Sequence, residues 1–403
     1  MASNNNKKPI EKEPYYHGWL TQKYIEKLLT DKGDFLVSSA KPRPGDPLMY
    51  IVSVCGDKKD WKKSRWYKHY VIFPTNGKYA LSEKSIMPFN TPYDLVDFHF
   101  TMKWPLAPDT ILEKAVNCQS LDIERDSIVV QKKICDRFIG EFHSGTCKRK
   151  SGKTIDVCIR RVKFDKLTKE QHAEIMNDAQ VMRELCHPNI IRFYGVTALK
   201  DPIYVITESV SDGELSKYLV ANPNLPMSKC DEMCLQAAWA LEYLHSKEYI
   251  HREPSAINFV YHNGQVKLAD FRRTVKGTSY KAEIEENAKL PLLAPEILKT
   301  LIYTFKTDVW AFGILCWEIY NCGAKPYPGM EAVKMYKKIY KGNHMKMHSS
   351  VDSDIADMIE NKCWAFNQND RATMSEICRM LQMITGIDRP NFEAYAEQKK
   401  KEK

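Results

Sequence analysis

Hydrophobic residues recur with two different periods along the chain, one typical of strands and one of helices, and the order of these segments indicates two blocks. In residues 15–105, hydrophobic residues have helical spacing over residues 20–29 and 93–100. Between these two segments lie short runs rich in β-branched and aromatic residues, which indicate strands. These strand-like runs cover residues 34–37, 49–54 and 67–73. A helix, a central antiparallel sheet and a second helix therefore predict one small α+β domain in this block.

The second block, residues 125–387, begins with strand-like segments and ends in a long stretch of helical periodicity. A helix is predicted near residues 169–185. The pattern predicts a β-rich small lobe over residues 125–208 and an α-rich large lobe over residues 209–387, and hence a multidomain α+β protein. Three further segments complete the division: a disordered leader at 1–14, a linker at 106–124 and a charged tail at 388–403.

The composition narrows the classes of function without selecting one. The 403 residues carry a formal net charge of +9, and basic residues are mixed with acidic ones. A nucleic-acid-binding surface would need a denser basic stripe, whereas phosphorylated partners or peripheral contact with a membrane fit this charge. Twelve scattered cysteines favour a reducing compartment. The longest apolar run, residues 309–320, is too short to span a bilayer and predicts a buried helix, so a cytoplasmic protein is expected.

Two motifs in the first block resemble the signatures of SH2 domains. YHG at residues 16–18 and GDFLV at residues 33–37 have the order and spacing of the family's W-Y-H-G and G-x-F-L-V-R. The resemblance implies a phosphotyrosine-binding domain whose phosphate is held by the arginine after Phe-Leu-Val. Ser38 occupies that position, and Gln22 stands where a second arginine is common. His69 matches the family's strand histidine.

The absence of that arginine has a large expected cost. Losing a buried, charge-paired contact costs about 2–5 kcal/mol, or roughly 30- to several-thousand-fold in affinity. Basic residues near Ser38 either replace the arginine in an atypical pocket or are solvated loop charges, and both interpretations stay open. These residues are Lys41, Arg43, Lys58, Lys59, Lys62, Lys63, Arg65 and Lys68.

The second block carries a dense series of motifs that resembles a protein tyrosine kinase. They are HPNII at 187–191, PIYVITE at 202–208, HRE at 251–253, DFR at 270–272, APE at 294–296, DVWAFG at 308–313, PYPG at 326–329 and CW at 363–364. Because an SH2-like block directly precedes these motifs, the chain is most similar to the Fes/Fer group of non-receptor tyrosine kinases. The resemblance implies a two-lobed kinase fold.

The ATP site that this resemblance implies is altered. The glycine-rich loop is CDRFIGEF at residues 135–142, in which only the third glycine, Gly140, survives. Phe142 and Cys158 replace a valine and an alanine, and overfilling a packed site typically costs about 1–3 kcal/mol. ATP binding is therefore expected to be weak or absent. The other residues that the resemblance assigns to the nucleotide are Arg160, the gatekeeper Thr207 and Glu208.

The implied catalytic positions keep their charges but change their lengths. Arg160 stands in place of the ATP-contacting lysine, and Asp178 in place of the glutamate that pairs with it. We expect a retained ion pair with altered geometry, the alternative being that Asp178 is a solvated helix charge. Glu253 replaces the catalytic aspartate, and a base misplaced by about 1 Å can cost about 100-fold in rate.

Two magnesium ligands of the family, Asn258 and Asp270, are present. Arg272 replaces the glycine that follows Asp270 and Phe271, and it is expected to pair with Asp270 in place of the metal. Residues 255–257 replace the segment through which tyrosine kinases hold their substrate. Tyr280 is either an activation-loop phosphosite or an unmodified exposed tyrosine.

The resemblance implies that residues which hold a kinase fold together are retained: His251 stacks with Phe271, Glu296 forms a buried ion pair with Arg371, and Asp308 braces the catalytic-loop backbone. An intact scaffold with altered chemistry favours a pseudokinase that binds cytoplasmic signalling proteins, such as tyrosine kinases or their phosphorylated substrates, and needs no cofactor. The alternative is a weakly active protein tyrosine kinase that uses ATP and Mg²⁺. A third hypothesis is that the SH2-like block dominates and the kinase fold only holds it in place.

Overall fold

The computed structural model describes most of the chain and divides it into two compact units. The described residues are 8–20, 22–40, 48–56, 66–82, 87–117, 123–137, 139–149, 151–163, 167–197, 202–283 and 289–401. The first unit comprises Met1–Ile155, Ile159–Met176 and Tyr194–Ile206, and the second comprises Asp156–Cys158, Asn177–Phe193 and Thr207–Lys403. The first predicted block therefore falls in the same unit as most residues of the strands that begin the second block.

The first block forms a six-stranded sheet with two helices. Its elements are β1 (Tyr16–Trp19), α1 (Gln22–Leu28), β2 (Asp34–Ala40), β3 (Met49–Cys55), β4 (Tyr67–Thr75), β5 (Lys78–Ala80), α2 (Pro92–Thr101) and β6 (Lys114–Ala115). The strand order is β1-β2-β3-β4-β5, and β6 also pairs with β2. The predicted antiparallel pairing holds for β2 to β5. It does not hold for β1 and β6, which run parallel to β2 because long connections precede each pairing.

Two apolar clusters cover opposite faces of this sheet. Side chains alternate along β2, so Phe35 and Val37 point to one face and Leu36 points to the other. Phe35 and Val37 pack with Leu95 of α2, whereas Leu36 packs with Ile25 of α1. Each helix therefore covers one face of the sheet.

Segments outside the predicted limits of the first block complete its core. Ile10, in the predicted disordered leader, is buried in the cluster on the α2 side, and the Tyr50 hydroxyl donates a hydrogen bond to Glu11. Leu112, in the predicted linker, is buried in the same cluster, just before β6. The ordered domain is therefore longer than predicted at both ends, because these isolated apolar residues belong to its core.

The second block begins with a five-stranded sheet. Its elements are β7 (Ile128–Asp136), β8 (Glu141–Lys148), β9 (Thr154–Val162), α3 (Lys169–Glu184), β10 (Phe193–Thr197) and β11 (Ile203–Glu208). The strand order is β10-β11-β9-β8-β7, and α3 confirms the helix predicted near residues 169–185. Before β7, the Arg125 guanidinium lies 4.0 Å from the ring centroid of Tyr204 and donates to its hydroxyl at 2.7 Å. This contact ties the first residue of the predicted second block to β11.

The rest of the described chain is mainly helical, which confirms the predicted α-rich half. Its helices are α4 (Leu215–Ala221), α5 (Met227–Ser246), α6 (Ile297–Thr300), α7 (Phe305–Tyr320), α8 (Ala332–Tyr340), α9 (Ser353–Met358), α10 (Met374–Thr385) and α11 (Phe392–Lys401). Its short strands are β12 (Tyr249–Ile250), β13 (Phe259–His262), β14 (Gln265–Leu268), β15 (Val275–Lys276), β16 (Ser279–Lys281) and β17 (Ile302–Thr304). The strands pair as β12 with β15, β13 with β14, and β16 with β17.

Helix α7 is buried along nearly its whole length, as its apolar sequence predicts. Thr304 and Thr307 form a capping box that satisfies backbone groups at its first turn. Gly313 lets Trp364 approach the helix, because a Cβ at this position would lie 2.5 Å from the Trp364 Nε1 atom. Within the described ranges, no helix is long and apolar enough to cross a membrane.

The segment predicted to be a charged tail forms a helix, α11, in the part that the structure describes. The Phe392 ring packs 4.3 Å from His187 and 5.5 Å from Trp239, as measured between ring centroids. Arg389 pairs with Glu242 at 2.5 Å. One aromatic anchor thus holds a segment whose overall composition is polar.

Candidate functional site

The backbone of the catalytic-loop motif is held by Asp308 at the start of α7. Its two carboxylate oxygens accept hydrogen bonds from the backbone N–H groups of His251 and Arg252 at 2.7 and 2.8 Å. The predicted role of Asp308 is therefore confirmed. Burial lowers the pKa of His251, which favours the neutral ring. Nδ1 accepts from the Glu253 N–H, so Nε2 carries the proton and donates to the Asp270 carbonyl at 2.8 Å.

The carboxylate of Asp270 is held by the side chain of Arg272. The guanidinium Nε lies 3.0 and 3.1 Å from the two carboxylate oxygens, and one terminal nitrogen lies 2.8 Å from Oδ2. The backbone N–H of Arg272 also donates to Oδ1 at 3.1 Å. Both side chains are nearly buried, with 11% and 13% of their surfaces exposed. Arg272 therefore makes the two-pronged pair with Asp270 that its position predicts.

The carboxylate of Glu253 is shared between two cations. Oε1 lies 3.2 Å from Nε of Arg273, and Oε2 lies 2.9 Å from Nζ of Lys289. Only 12% of the Glu253 side chain is exposed. We did not predict either cation from the sequence, although the second of two consecutive arginines after Phe271 was the available signal. The carboxylate at the base position is therefore held in two ion pairs and is largely shielded from water.

Of the two residues assigned to magnesium, Asn258 fits a metal ligand and Asp270 does not. Asn258 donates through Nδ2 to the Glu253 carbonyl at 2.8 Å. Its Oδ1 atom is buried and has no hydrogen-bond partner within the part of the chain that the structure describes. A buried amide oxygen of this kind fits a metal ligand. Asp270 does not fit, because the Arg272 fork already occupies both of its oxygens.

Two adjacent residues of α3 hold the segment that contains Phe271. Asp178 Oδ1 accepts from the Phe271 N–H at 2.8 Å. Asn177 Nδ2 lies 3.1 Å from the carbonyl oxygens of both Phe271 and Arg272, and 2.9 Å from that of Thr274. Asp178 is buried, so it is not the solvated helix charge considered above. Its ion pair with Arg160 stays a prediction, and Asn177 was missed.

The Arg160 side chain is buried beside the loop that joins β7 and β8. Its Nε donates to the Ile139 carbonyl at 3.2 Å, and its guanidinium carbon lies 5.8 Å from the Phe142 ring centroid. Gly140 has a φ of 136°, and a Cβ there would lie 2.9 Å from the Arg161 carbonyl. The surviving glycine is therefore required by the backbone of this loop. Cys158 lies on β9 and is partly buried.

Two residues at the end of β11 complete the predicted nucleotide set. Thr207 and Glu208 are both partly exposed. Glu208 Oε1 accepts from the Arg192 N–H at 2.8 Å and pairs with Nζ of Lys267 at 2.9 Å. The Glu208 side chain therefore ties β11 to two neighbouring segments. Its assignment to the nucleotide stays a prediction.

The candidate phosphosite Tyr280 is a half-buried residue of β16, where it pairs with Tyr303 of β17. The Arg252 guanidinium carbon lies 4.8 Å from the Tyr280 ring centroid and 4.5 Å from that of Tyr303. The tyrosine is therefore packed and not fully exposed. Its phosphorylation stays a prediction.

Glu318 supplies a pH dependence that can be measured. Its Oε2 accepts from the Ala256 N–H at 2.8 Å, and burial raises its pKa to about 7. A raised carboxyl pKa means that the folded state binds the proton more tightly, so this group's contribution to stability falls as pH rises from about 4.5 to 7. The Glu318→Gln variant should lack this loss. We expect its stability relative to wild type to rise by about 2–3 kcal/mol between pH 5 and pH 8.

Urea unfolding of both proteins at several pH values, followed by circular dichroism, measures this difference. Glu376→Gln is the matched control, because Glu376 is an exposed carboxylate whose hydrogen bonds with Thr373 lower its pKa. Its pH dependence should have the opposite sign. A Glu318→Gln difference that does not change with pH would refute the assignment.

The three residues assigned to the phosphotyrosine pocket lie on or beside the α1 face of the first sheet. Leu36, Ser53 and His69 form a row across β2, β3 and β4, and Ser38 lies one row further along β2. Ser53 Oγ and His69 Nδ1 lie 2.8 Å apart, and burial lowers the pKa of His69. Gln22, on α1, donates to Glu26 at 3.2 Å. The sheet therefore brings Ser38 and His69 to one face.

Lys68 is paired elsewhere. Its Nζ lies 2.6 Å from Asp109 and 3.1 Å from Thr110 Oγ1. The other predicted basic residues, from Lys41 to Arg65, lie outside the described residues. Whether they replace the missing arginine stays open as a prediction.

Comparison with known proteins identifies the second block. A family model described as "Protein tyrosine and serine/threonine kinase" matches residues 128–381. The chain is 29% identical over 395 residues to Fer-related kinase 1 of Caenorhabditis elegans, covering 94% of this chain and 97% of that protein. It is 27% identical over 386 residues to Tyrosine-protein kinase Fer of Homo sapiens, covering 94% and 45%.

A further relative is the Tyrosine-protein kinase transforming protein Abl of Abelson murine leukemia virus. The chain is 31% identical to it over 386 residues, covering 91% of this chain and 49% of that protein. The chain therefore spans about half the length of the human and viral relatives and nearly all of the nematode one.

Proposed function

The chain belongs to the protein tyrosine and serine/threonine kinase family, and we propose that it acts as a scaffold or regulator in tyrosine-kinase signalling without efficient phosphate transfer. One observation carries the proposal: the carboxylates at the base and metal positions are both paired with the protein's own cations. Phosphoryl transfer depends on positioning and charge stabilisation. Because these charges are already neutralised by ion pairs within the protein, we expect the fold to be kept and most of the phosphoryl-transfer activity to be lost.

The base position supports this proposal through geometry. A general base must approach the substrate hydroxyl to about 2.6–3.2 Å. Glu253 would have to leave Arg273 and Lys289 to do so, and its extra methylene already displaces the carboxylate relative to an aspartate. The ion pairs and the length change act in the same direction, because both oppose a productive position.

The metal position supports it through charge. Mg²⁺ requires near-octahedral oxygen coordination, usually through one or two carboxylates and substrate phosphates. Arg272 places a positive charge 2.8 Å from Asp270 Oδ2, where a cation would bind. A metal ion would have to break this two-pronged pair and accept a nearby guanidinium, so Asn258 alone does not make a magnesium site.

A weakly active protein tyrosine kinase is the second candidate. The observation in its favour is the Asn258 Oδ1 atom, which has no hydrogen-bond partner among the described residues, together with a catalytic-loop backbone that Asp308 holds in place. Each catalytic position also keeps the sign of its charge. This candidate needs ATP and Mg²⁺ as cofactors, whereas the scaffold needs neither.

We also propose that the first block is an SH2 domain of altered phosphate specificity. A sheet covered by one helix on each face, with Ser38 and His69 on the α1 face, supports it. The expected partners are cytoplasmic signalling proteins, such as tyrosine kinases or their phosphorylated substrates, and not nucleic acids. Peripheral contact with a membrane is compatible with the net charge of +9.

Thermal unfolding with nucleotide tests the leading proposal. A ligand that binds only the folded state raises the melting temperature by mass action. We expect excess Mg-ATP to leave the wild-type melting temperature unchanged within about one degree, since little binding produces little stabilisation. A shift of several degrees that the Asp270→Asn variant loses would support the second candidate. The free nucleotide without metal serves as the reference titration.

A further inference from the structure

Helix α8 carries apolar side chains on two different faces. Met335 and Ile339 are buried and attach the helix to the second unit. Val333, Tyr336 and Tyr340 follow with spacings of three and four residues, so they share another face. They are 66%, 42% and 44% exposed. The helix therefore exposes to solvent an apolar stripe that does not take part in its packing on the second unit.

This stripe continues into a larger aromatic surface. The rings of Tyr336 and Tyr340 stack with centroids 5.9 Å apart and planes 18° apart. Nζ of Lys299 lies 5.0 Å from the Tyr340 ring centroid and 4.8 Å from that of Phe366, which is itself half exposed. We call the four residues Val333, Tyr336, Tyr340 and Phe366 the α8 surface.

Lysine residues flank the α8 surface. Residues 331–341 contain four lysines and one glutamate, and Lys299 adds a fifth lysine between two of the rings. The glutamate, Glu331, lies 3.5 Å from Lys334, and both side chains are about three-quarters exposed. Exposed tyrosines with a basic border are typical of protein-binding sites, where aromatic residues contribute most of the affinity.

We propose that the α8 surface binds an acidic protein segment that carries an aromatic or aliphatic anchor. The anchor would lie on the stacked tyrosines, and carboxylates would face the lysines. A lipid bilayer is a poorer occupant, because Lys299 sits among the rings and would have to enter the apolar layer with them. A second copy of the chain is disfavoured, because self-association through this surface would bring like charges together. The inference goes beyond the proposed function and does not depend on loss of phosphate transfer.

Fluorescence anisotropy with a labelled random copolymer of glutamate and tyrosine tests the proposal on the full chain. We expect salt-sensitive binding that Tyr336→Ala/Tyr340→Ala weakens by roughly 30-fold, as for paired aromatic hot spots. The charge reversal Lys334→Glu/Lys337→Glu should weaken it by roughly tenfold or more. All four side chains are exposed, so both variants should fold, and a melting curve checks this.

Val220→Ala and Lys153→Glu are the controls, because the first truncates an exposed apolar residue and the second reverses an exposed lysine elsewhere. They should leave the affinity unchanged within about twofold, as expected for distant independent sites. Polyglutamate without tyrosine should bind more weakly than the copolymer. Phosphatidylserine vesicles and sedimentation velocity test the other occupants.

Three results would overturn the proposal. The first is copolymer binding that is absent or insensitive to both α8 variants. The second is vesicle binding that requires the α8 tyrosines while copolymer binding does not. The third is a dimer that Tyr336→Ala/Tyr340→Ala dissociates.

Discussion

Replacing Arg371 with alanine should lower the free energy of unfolding by about 3–5 kcal/mol, since it leaves a largely buried carboxylate without its partner. The Arg371 side chain is fully buried, and its terminal nitrogens lie 2.6 and 2.8 Å from the two oxygens of Glu296. Arg371 also donates to the carbonyl oxygens of Ala365 and Lys306 at 2.8 and 3.1 Å. Alanine removes all of these hydrogen bonds together.

The chain contains a matched control for this prediction. Arg389 pairs with Glu242 at 2.5 Å, but 42% of the Arg389 side chain is exposed. Solvent weakens such pairs, so Arg389→Ala should cost about 1 kcal/mol or less. Denaturant unfolding of both variants measures the contrast. Equal losses for the two variants would contradict the idea that the Glu296–Arg371 pair holds the second unit together.

Replacing Ser38 with arginine should raise the affinity for a phosphotyrosine peptide by roughly 30-fold or more, by restoring a buried charge-assisted contact. Ser38 is buried on β2, on the same face as His69. The planar guanidinium can contact two phosphate oxygens at once, whereas the serine hydroxyl donates a single neutral hydrogen bond. Isothermal titration with a phosphotyrosine peptide and its unphosphorylated form measures the gain.

Ser38→Lys is the control for charge without the two-pronged geometry. It should gain less than Ser38→Arg, since an ammonium acts as a point charge. Because a long side chain enters a buried position, thermal melts must first show that both variants fold. A folded Ser38→Arg variant with no phosphate-dependent gain would rule out the proposed pocket.

The scaffold could be predicted from the sequence because its residues stand in long, ordered motifs. Asp308 begins the DVWAFG motif and Arg371 follows the CW motif, and their contacts are the expected ones. The buried helix α7 was predictable from apolar residues alone. The pairing of Arg272 with Asp270 was predictable because the two residues are neighbours in the chain.

The remaining contacts form between residues that meet only in the folded chain, and the pattern of residues along the sequence does not show which of them meet. Lys289 reaches Glu253 across 36 positions, and in the sequence it has the pattern of a solvated charge. Asn177 was overlooked because the resemblance directs attention to its neighbour, Asp178. Ile10 lies in a polar segment that was predicted to be a disordered leader, and Phe392 lies in the predicted charged tail, so composition did not show that these residues pack.

The central claim is that the protein's own cations pair with the two carboxylates that stand at the base and metal positions of phosphate transfer. Its most direct test is incorporation of the γ-phosphate of ATP into a glutamate–tyrosine copolymer by the purified full chain with Mg²⁺. We expect wild type and Asp270→Asn to give the same background signal. Steady, multiple-turnover labelling by wild type that vanishes in Asp270→Asn would show that these ion pairs open readily and that the chain is a working kinase.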